Sequence, residues 1–188
     1  TAYDNYEIIV VDNASSDRSV DIIKNEFPQV KLIINDRNLG FAKGMNVGIR
    51  NARGDLICLF NNDAIAEPTW LSKLVDVITS SPDVGIVGGI IYFYSPRQVI
   101  WSAGGKIDPF TGIVWDIYRG KRLDDNLFIS IKDIDYIPGT ALLVRKNVID
   151  KIGLLDEHYF VLFDDVDWCF TARRAGYNCV MVADAKVY

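Results

Sequence analysis

A chain of 188 residues, 49% hydrophobic and with a formal charge of −5, has the length and composition of one compact domain with a single sizeable core. Acidic residues outnumber basic ones by 25 to 20 and no Lys/Arg block occurs, a balance that excludes a protein living on nucleic-acid phosphates. The longest apolar runs, such as "DVGIVGGIIYFY", are too short and glycine-rich to span a bilayer, and no basic segment leads into an apolar one at the N-terminus. A soluble chain is expected, with a peripheral membrane role left open.

"YEIIVVD", Tyr6 to Asp12, is a β-branched run ended by polar residues and predicts a strand buried on both faces. "NASSDRSVDIIKNEF" predicts a helix with Ser and Asp as caps and Val20, Ile22 and Ile23 as its apolar stripe, stopped by Pro28. A strand at "VKLIIND", a helix at "GFAKGMNVGIRNA" closed by Gly54, a strand at "DLICLFNND" and a helix opened by Pro68, "PTWLSKLVDVITSS", follow. Strand and helix alternate, so a largely parallel α/β sheet is expected. "VGIVGGIIYFY" is a further strand, and the turn-rich, aromatic stretch from Ser95 to Asp125 is an excursion with short strands. A strand in "IDYIPGTALLVRK", a short helix at "KNVIDKIG", a helix begun by "DDVDWCFTARRAGY" and a strand at "NCVMVADAKVY" complete the chain. The last helix should stop at Gly176 as a C′ residue, with Arg173 and Arg174 suiting the dipole of its final turn.

Ligands of open α/β sheets sit at the carboxyl ends of the strands. Three predicted strands end there in polar groups: Asp12 and Asn13, then Asn35 and Asp36, then Asn61, Asn62 and Asp63. Each could equally be a turn former or helix cap. Asp63, fixed by the apolar strand before it, could hold Mg²⁺ or Mn²⁺ gripping a diphosphate, since one carboxylate, phosphate oxygens and water suffice for so hard a cation. Gly40, Gly44 and Gly48 share a helical face, where they either pack against the sheet, as expected of Gly48, or let backbone approach a nucleotide, as expected of Gly40. Asp164, Asp165 and Asp167 crowd three like charges into four positions. One of the first two can act as a general base beside a helix N-terminus, with Asp167 capping the helix; a merely solvated acidic helix start is the alternative.

Other chemistries are poorly served. His158 is the sole histidine and no G-x-S-x-G elbow precedes it, which argues against a Ser-His-Asp hydrolase. Neither a dinucleotide fingerprint nor a phosphate loop occurs. Cys58, Cys169 and Cys179 are odd in number and set in apolar runs, so they read as reduced core residues rather than disulfides or a zinc site, and a reducing, cytoplasmic compartment is expected.

In order along the chain, "IIVVDNASSDRS", "NLGFAKGMNVGI", "LFNNDAIAEPTWL" and "IPGTALLVRKNVIDKIGLLDEHYFVLFDDVDWCFTARRAGY" resemble the motifs of a family 2 glycosyltransferase, inverting and nucleotide-sugar-dependent, of the rhamnosyltransferase-like branch. The resemblance spans nearly the whole chain. It implies the GT-A fold, a mostly parallel, doubly wound, Rossmann-like sheet with a smaller mixed acceptor-side portion. One domain over 1–188 would comprise a nucleotide-sugar half over about 1–90 and an acceptor- and base-bearing half over about 91–188. It implies a UDP- or dTDP-sugar donor, Mg or Mn, and a glycan or lipid-linked acceptor at the inner face of a membrane.

Carried over by residue, the resemblance gives Asp12 to the nucleotide base, Asp63 to the metal as last acid of a D-x-D-like triplet, and Asp165 to the base as second acid of E-D-x-D. Asp164 stands where the family usually has glutamate. The donor-site set is then Asp12, Asn13, Asp36, Gly40, Asn46 and Asn62. Gly139 and Thr140 line the acceptor pocket, and Trp101 is expected to stack on the acceptor sugar, with Tyr92, Tyr94, Trp115 and Tyr118 either sharing that surface or serving the core. Two departures stand out. The triplet reads Asn-Asn-Asp, leaving one strong ligand, and the family's first strand and helix are missing, so the chain is expected to be a fragment or a degenerate copy. A nucleotidyltransferase or an inactive transferase-like binding module are the competing readings; oligomeric state is not legible.

Overall fold

The computed structural model describes residues 1–122 and 134–188. Strand β1 (Ile9–Asp12) pairs in parallel with β2 (Lys31–Ile34), with α1 (Ser19–Glu26) as the crossover between them. Helix α2 (Phe41–Asn51) follows, then β3 (Leu56–Phe60), α3 (Trp70–Ser80) and β4 (Val84–Tyr92). Short strands β5 (Ile100–Ser102), β6 (Gly105–Ile107) and β7 (Val114–Asp116) make up the excursion, whose last three residues lie outside the described ones. The chain returns through β8 (Ala141–Arg145), α4 (Lys146–Ile152), α5 (Asp164–Arg174) and β9 (Asn178–Val187).

β4 organises the larger sheet. β9 runs parallel along one edge, while β8 and then β5 pair antiparallel with successive lengths of it. β8 also pairs antiparallel with β3, so β3, β4 and β9 point the same way and β8 is inserted against them. The α/β alternation of the sequence is present, and the sheet is mixed where β8 and β5 join it. The reversal of β8 was not legible, because an apolar run buried on both faces carries no mark of its direction.

Period-two alternation divides the apolar side chains between two layers rather than one core. Ile86, Ile90, Leu142 and Val144 join α2, α4 and α5 on one face; Val87, Ile91, Leu143 and Val187 join α3 on the other. In β4 the glycines fit close neighbours: a Cβ on Gly88 would overlap the Ile137 side chain, and one on Gly89 the Ala185 carbonyl. Cys169 and Cys179 are free and buried as expected, whereas Cys58 is exposed because β3 turns Ile57 and Leu59 inward.

Two further expectations are corrected near β1. Tyr6 and Ile8 are exposed, so the first strand is shorter and only half-buried. The helix after it starts at Ser19 rather than at the Ser/Asp cluster, because Asp12 and Asp17 accept from the backbone N–H groups of Ser15 and Ser19 and stabilise turns instead.

Candidate active site

Parallel pairing of β1 and β2 brings Asp12 and the Asn35–Asp36 turn to one rim. Asp12 is buried, and its Oδ2 accepts from Ser15 N–H at 3.1 Å. Asn13 links the strand ends to α2: its Oδ1 accepts from Asn35 Nδ2 at 2.9 Å and its Nδ2 donates to the Gly40 carbonyl at 3.1 Å. A Cβ on Gly44 would meet the Asn13 amide at 2.9 Å, so that glycine serves the same approach, while Gly48 faces Val11 of β1. Asp36 and Asn62 are exposed on turns.

Gly40 has φ +82° and lies under Phe160, whose carbonyl oxygen would be 2.6 Å from a Cβ there. Its N–H and C=O are already taken by Asn38 and Asn13. A close approach of the Phe160 backbone thus accounts for the glycine inside the protein.

Asn46, expected among the donor contacts, has another task. It is fully buried, donates to Leu155 O at 2.8 Å and accepts from Leu155 N–H at 3.1 Å, latching α2 to a segment 109 residues away. It also donates to Glu157, whose carboxyl is held below its usual range first by that amide and then by Arg50. Asn46→Ala is expected to destabilise the protein by about 3 kcal/mol, because both Leu155 backbone groups lose their partner. A urea midpoint lowered at unchanged slope, with nucleotide affinity retained in the folded protein, checks it; a loss of affinity at unchanged stability would restore the donor-contact role.

Four sequence-distant segments meet at the turn before β8. Gly139 N–H donates to Asp165 Oδ2 at 2.7 Å, and the neighbouring Thr140 carbonyl accepts from Asn61 N–H at 2.8 Å. A Cβ on Gly139 would sit 3.4 Å from both Asp165 Cβ and the Phe41 ring. Phe41 opens α2 just after Gly40, and its N–H donates to Phe160 O at 2.8 Å. The start of the Asn61–Asp63 loop, the start of α5 and the start of α2 therefore converge around Gly139 and Thr140.

The acids at the start of α5 differ in setting. Asp165 also accepts from Val166 N–H at 2.8 Å; burial pushes its carboxyl up against the pull of these backbone donors, and the charge of Asp116 adds to the rise. Asp164 is 3% exposed, its Oδ2 is buried without a hydrogen-bond partner, and burial followed by the Asp165 charge pushes it up to about 6. Asp167 does not cap the helix: the N-cap position is Phe163, and Asp167 N–H donates to the Phe163 carbonyl within the first turn. Leu162 and Phe163 hold φ of +70° and +67°, backbone strain placed directly before the acids.

The aromatics in and just before the excursion differ in exposure. Tyr92 is buried and belongs to the core, while Tyr94 and Trp115 are exposed. Trp101 is half-buried against the α3 layer, and Arg119 lies over its ring at 5.1 Å, occupying a stacking face. Asp116 and Tyr136, unforeseen from the sequence, stand close enough to Asp165 to interact with it electrostatically.

A divalent cation suits the Asn61–Asp63 loop as a shared rather than a caged ligand. Asp63 offers an exposed carboxylate, and Asn61 Oδ1 is buried without a partner. Among the described residues no group of three His, Cys, Asp or Glu could hold a metal by itself. Oxygen donors in so small a number match Mg²⁺ or Mn²⁺ completed by phosphate and water.

The family model described as glycosyl transferase family 2 matches residues 1–153. An N-acetylglucosaminyl-diphospho-decaprenol L-rhamnosyltransferase of Mycobacterium tuberculosis is 26% identical over 203 residues, covering 96% of this chain and 65% of that protein. Glycosyltransferase AglE of Haloferax volcanii is 27% identical over 182 residues, covering 95% and 55% respectively. Among solved structures, GalNAc-T7 with UDP, GalNAc and Mn²⁺ superposes with a TM-score of 0.72 at 14% identity, over 96% of this chain and 37% of that one. The chain thus spans about two thirds of the length of the Mycobacterium relative (65%) and about half of the Haloferax one (55%).

Proposed function

The chain belongs to glycosyl transferase family 2 and has the GT-A fold, and on that premise we propose that it moves a sugar from a nucleotide-diphosphate donor to a hydroxyl acceptor with inversion. The acceptor is a glycan or a lipid-linked glycan, as in the synthesis of cell-surface polysaccharide or glycolipid. The observation that carries this reading is the shared anchorage of Asp165 and of the Asp63 loop on Gly139 and Thr140. A base and a leaving-group site must face one another across a single sugar, and the anchorage of both segments on one turn supports that arrangement.

Asp165 takes the proton of the acceptor hydroxyl as that oxygen bonds to the anomeric carbon. The bond from the anomeric carbon to the diphosphate breaks in the same displacement, so the centre inverts. Asp63, with the neighbouring Asn61 amide oxygen, would hold the divalent cation, which when bound offsets charge on the departing diphosphate. Asp12 and Asn13 bind the nucleoside part. The Mycobacterium and Haloferax relatives, named for rhamnosyl and glycosyl transfer, support the reaction class, and the metal and nucleotide in GalNAc-T7 support the donor class. Among the described residues no helix is long and apolar enough to cross a membrane.

Calorimetric titration with UDP, dTDP and GDP, each with and without Mn²⁺, tests the reading. One nucleotide is expected to bind at least about tenfold tighter with the metal, a gain of about 1.4 kcal/mol. Equal affinities in the two series would remove the metal-dependent donor site.

A further inference from the structure

A second acid sits beside the proposed base and outside every motif the sequence offers. Asp116, at the end of β7, accepts through Oδ1 from Ser102 Oγ at 2.8 Å and from Tyr136 OH at 3.0 Å, and pairs through Oδ2 with Arg119 at 3.1 Å. Ser102 and Tyr136 are buried, so these bonds lie where water competes little. Tyr136 is clamped from behind as well: a Cβ on Gly105 would overlap its ring, and Gly105 N–H donates to its carbonyl at 3.1 Å. Three residues further on, Gly139 N–H holds Asp165, and the Thr140 carbonyl holds Asn61.

We propose that Asp116 is a positioning residue for sugar transfer: by holding Tyr136 it fixes the Tyr136–Thr140 stretch, and with it the spacing between Asp165 and the Asn61–Asp63 loop. The inference rests on the reading of Asp165 as the base and adds to it the device that sets base against leaving group. An in-line displacement tolerates little slack in that distance, and a misplacement of about 1 Å can cost about a hundredfold in rate.

The groups facing Asp165 are Asp164 and Cys169 from α5, Tyr136 from the stretch before β8, and Asp116 from β7, with Arg119 behind Asp116; α2 presents the uncharged Phe41. Asp116 is the member outside α5 whose charge raises the Asp165 carboxyl. Asp116→Asn removes that charge and should move the acid limb of the rate profile to lower pH. Tyr136→Phe cuts the bond but keeps the charge, so it should leave that limb in place.

Both variants are expected to lower kcat about tenfold with donor KM and nucleotide affinity changed less than about twofold, and the double variant should be no slower than Asp116→Asn alone. Tyr136→Phe retains the Ser102 and Arg119 bonds to Asp116, so it carries the kcat test by itself should Asp116→Asn fail to fold. Folded variants that keep wild-type kcat, additive losses in the double variant, or an unmoved acid limb in Asp116→Asn would overturn the proposal. Asp165→Asn, run alongside, separates the two readings. If it transfers at the wild-type rate, the base itself is lost; if it is dead while Tyr136→Phe is unaltered, only the role of Asp116 fails.

Discussion

Asp165→Asn is expected to lower the rate of sugar transfer about a thousandfold while leaving donor binding intact, within the range of about 10² to 10⁴ that a positioned general base supplies. The amide nearly matches the carboxylate in shape, and its oxygen can still accept from Gly139 N–H, so the turn before β8 keeps its place. What is lost is the ability to take a proton. Burial already pushes Asp165 above the usual carboxylate range, and Asp164 beside it stands near 6. In the wild type the rate should therefore fall as the pH drops and the raised Asp165 carboxylate takes up its proton. Initial rates of nucleotide release in the presence of acceptor, with calorimetry on the same variant, give the measurement. An Asp165→Asn enzyme within a few fold of wild type, or one that has lost its nucleotide affinity as well, would take the base role away from this residue.

The sequence carried local structure better than the distant partners of its polar residues. Strand ends and the acidic start of α5 were legible because each is a local signal: an apolar run followed by polar residues, or like charges packed where one cap would do. Asn46 shows the limit of such signals. Within its motif it reads as a ligand contact, yet its partner lies 109 residues away, and no local pattern marks a buried amide that serves the backbone of a distant segment. Asp167 was misjudged for a related reason: three aspartates can begin a helix without any of them occupying the cap, which falls to Phe163 in a strained conformation. Ser102, Asp116 and Tyr136 had no signal at all. They come from β5, β7 and the stretch before β8, and only the folding of the excursion against that stretch brings them together.

Asp63→Ala should abolish the metal-dependent part of donor affinity and lower transfer about a hundred- to a thousandfold, the scale on which uncompensated charge at a leaving diphosphate acts. The carboxylate is exposed on the turn after β3, so its removal is expected to change stability by less than about 0.5 kcal/mol. Glu67, the other acid of the same loop, is no ready substitute, because its Oε1 accepts from Tyr188 OH at 3.0 Å and that bond helps hold the loop to the end of β9. The buried Asn61 oxygen has no such engagement, and by itself a neutral amide is a weak anchor for a doubly charged cation. In the titration, the gain in nucleotide affinity from Mn²⁺ should vanish in Asp63→Ala, whereas affinity without metal stays as in the wild type. Asp63→Glu should restore part of the gain, since a longer carboxylate can still reach a cation shared with phosphate and water. If the Mn²⁺ effect survives in the alanine variant, the ligand lies elsewhere on the rim, and the loop after β3 shapes the donor pocket without holding the metal.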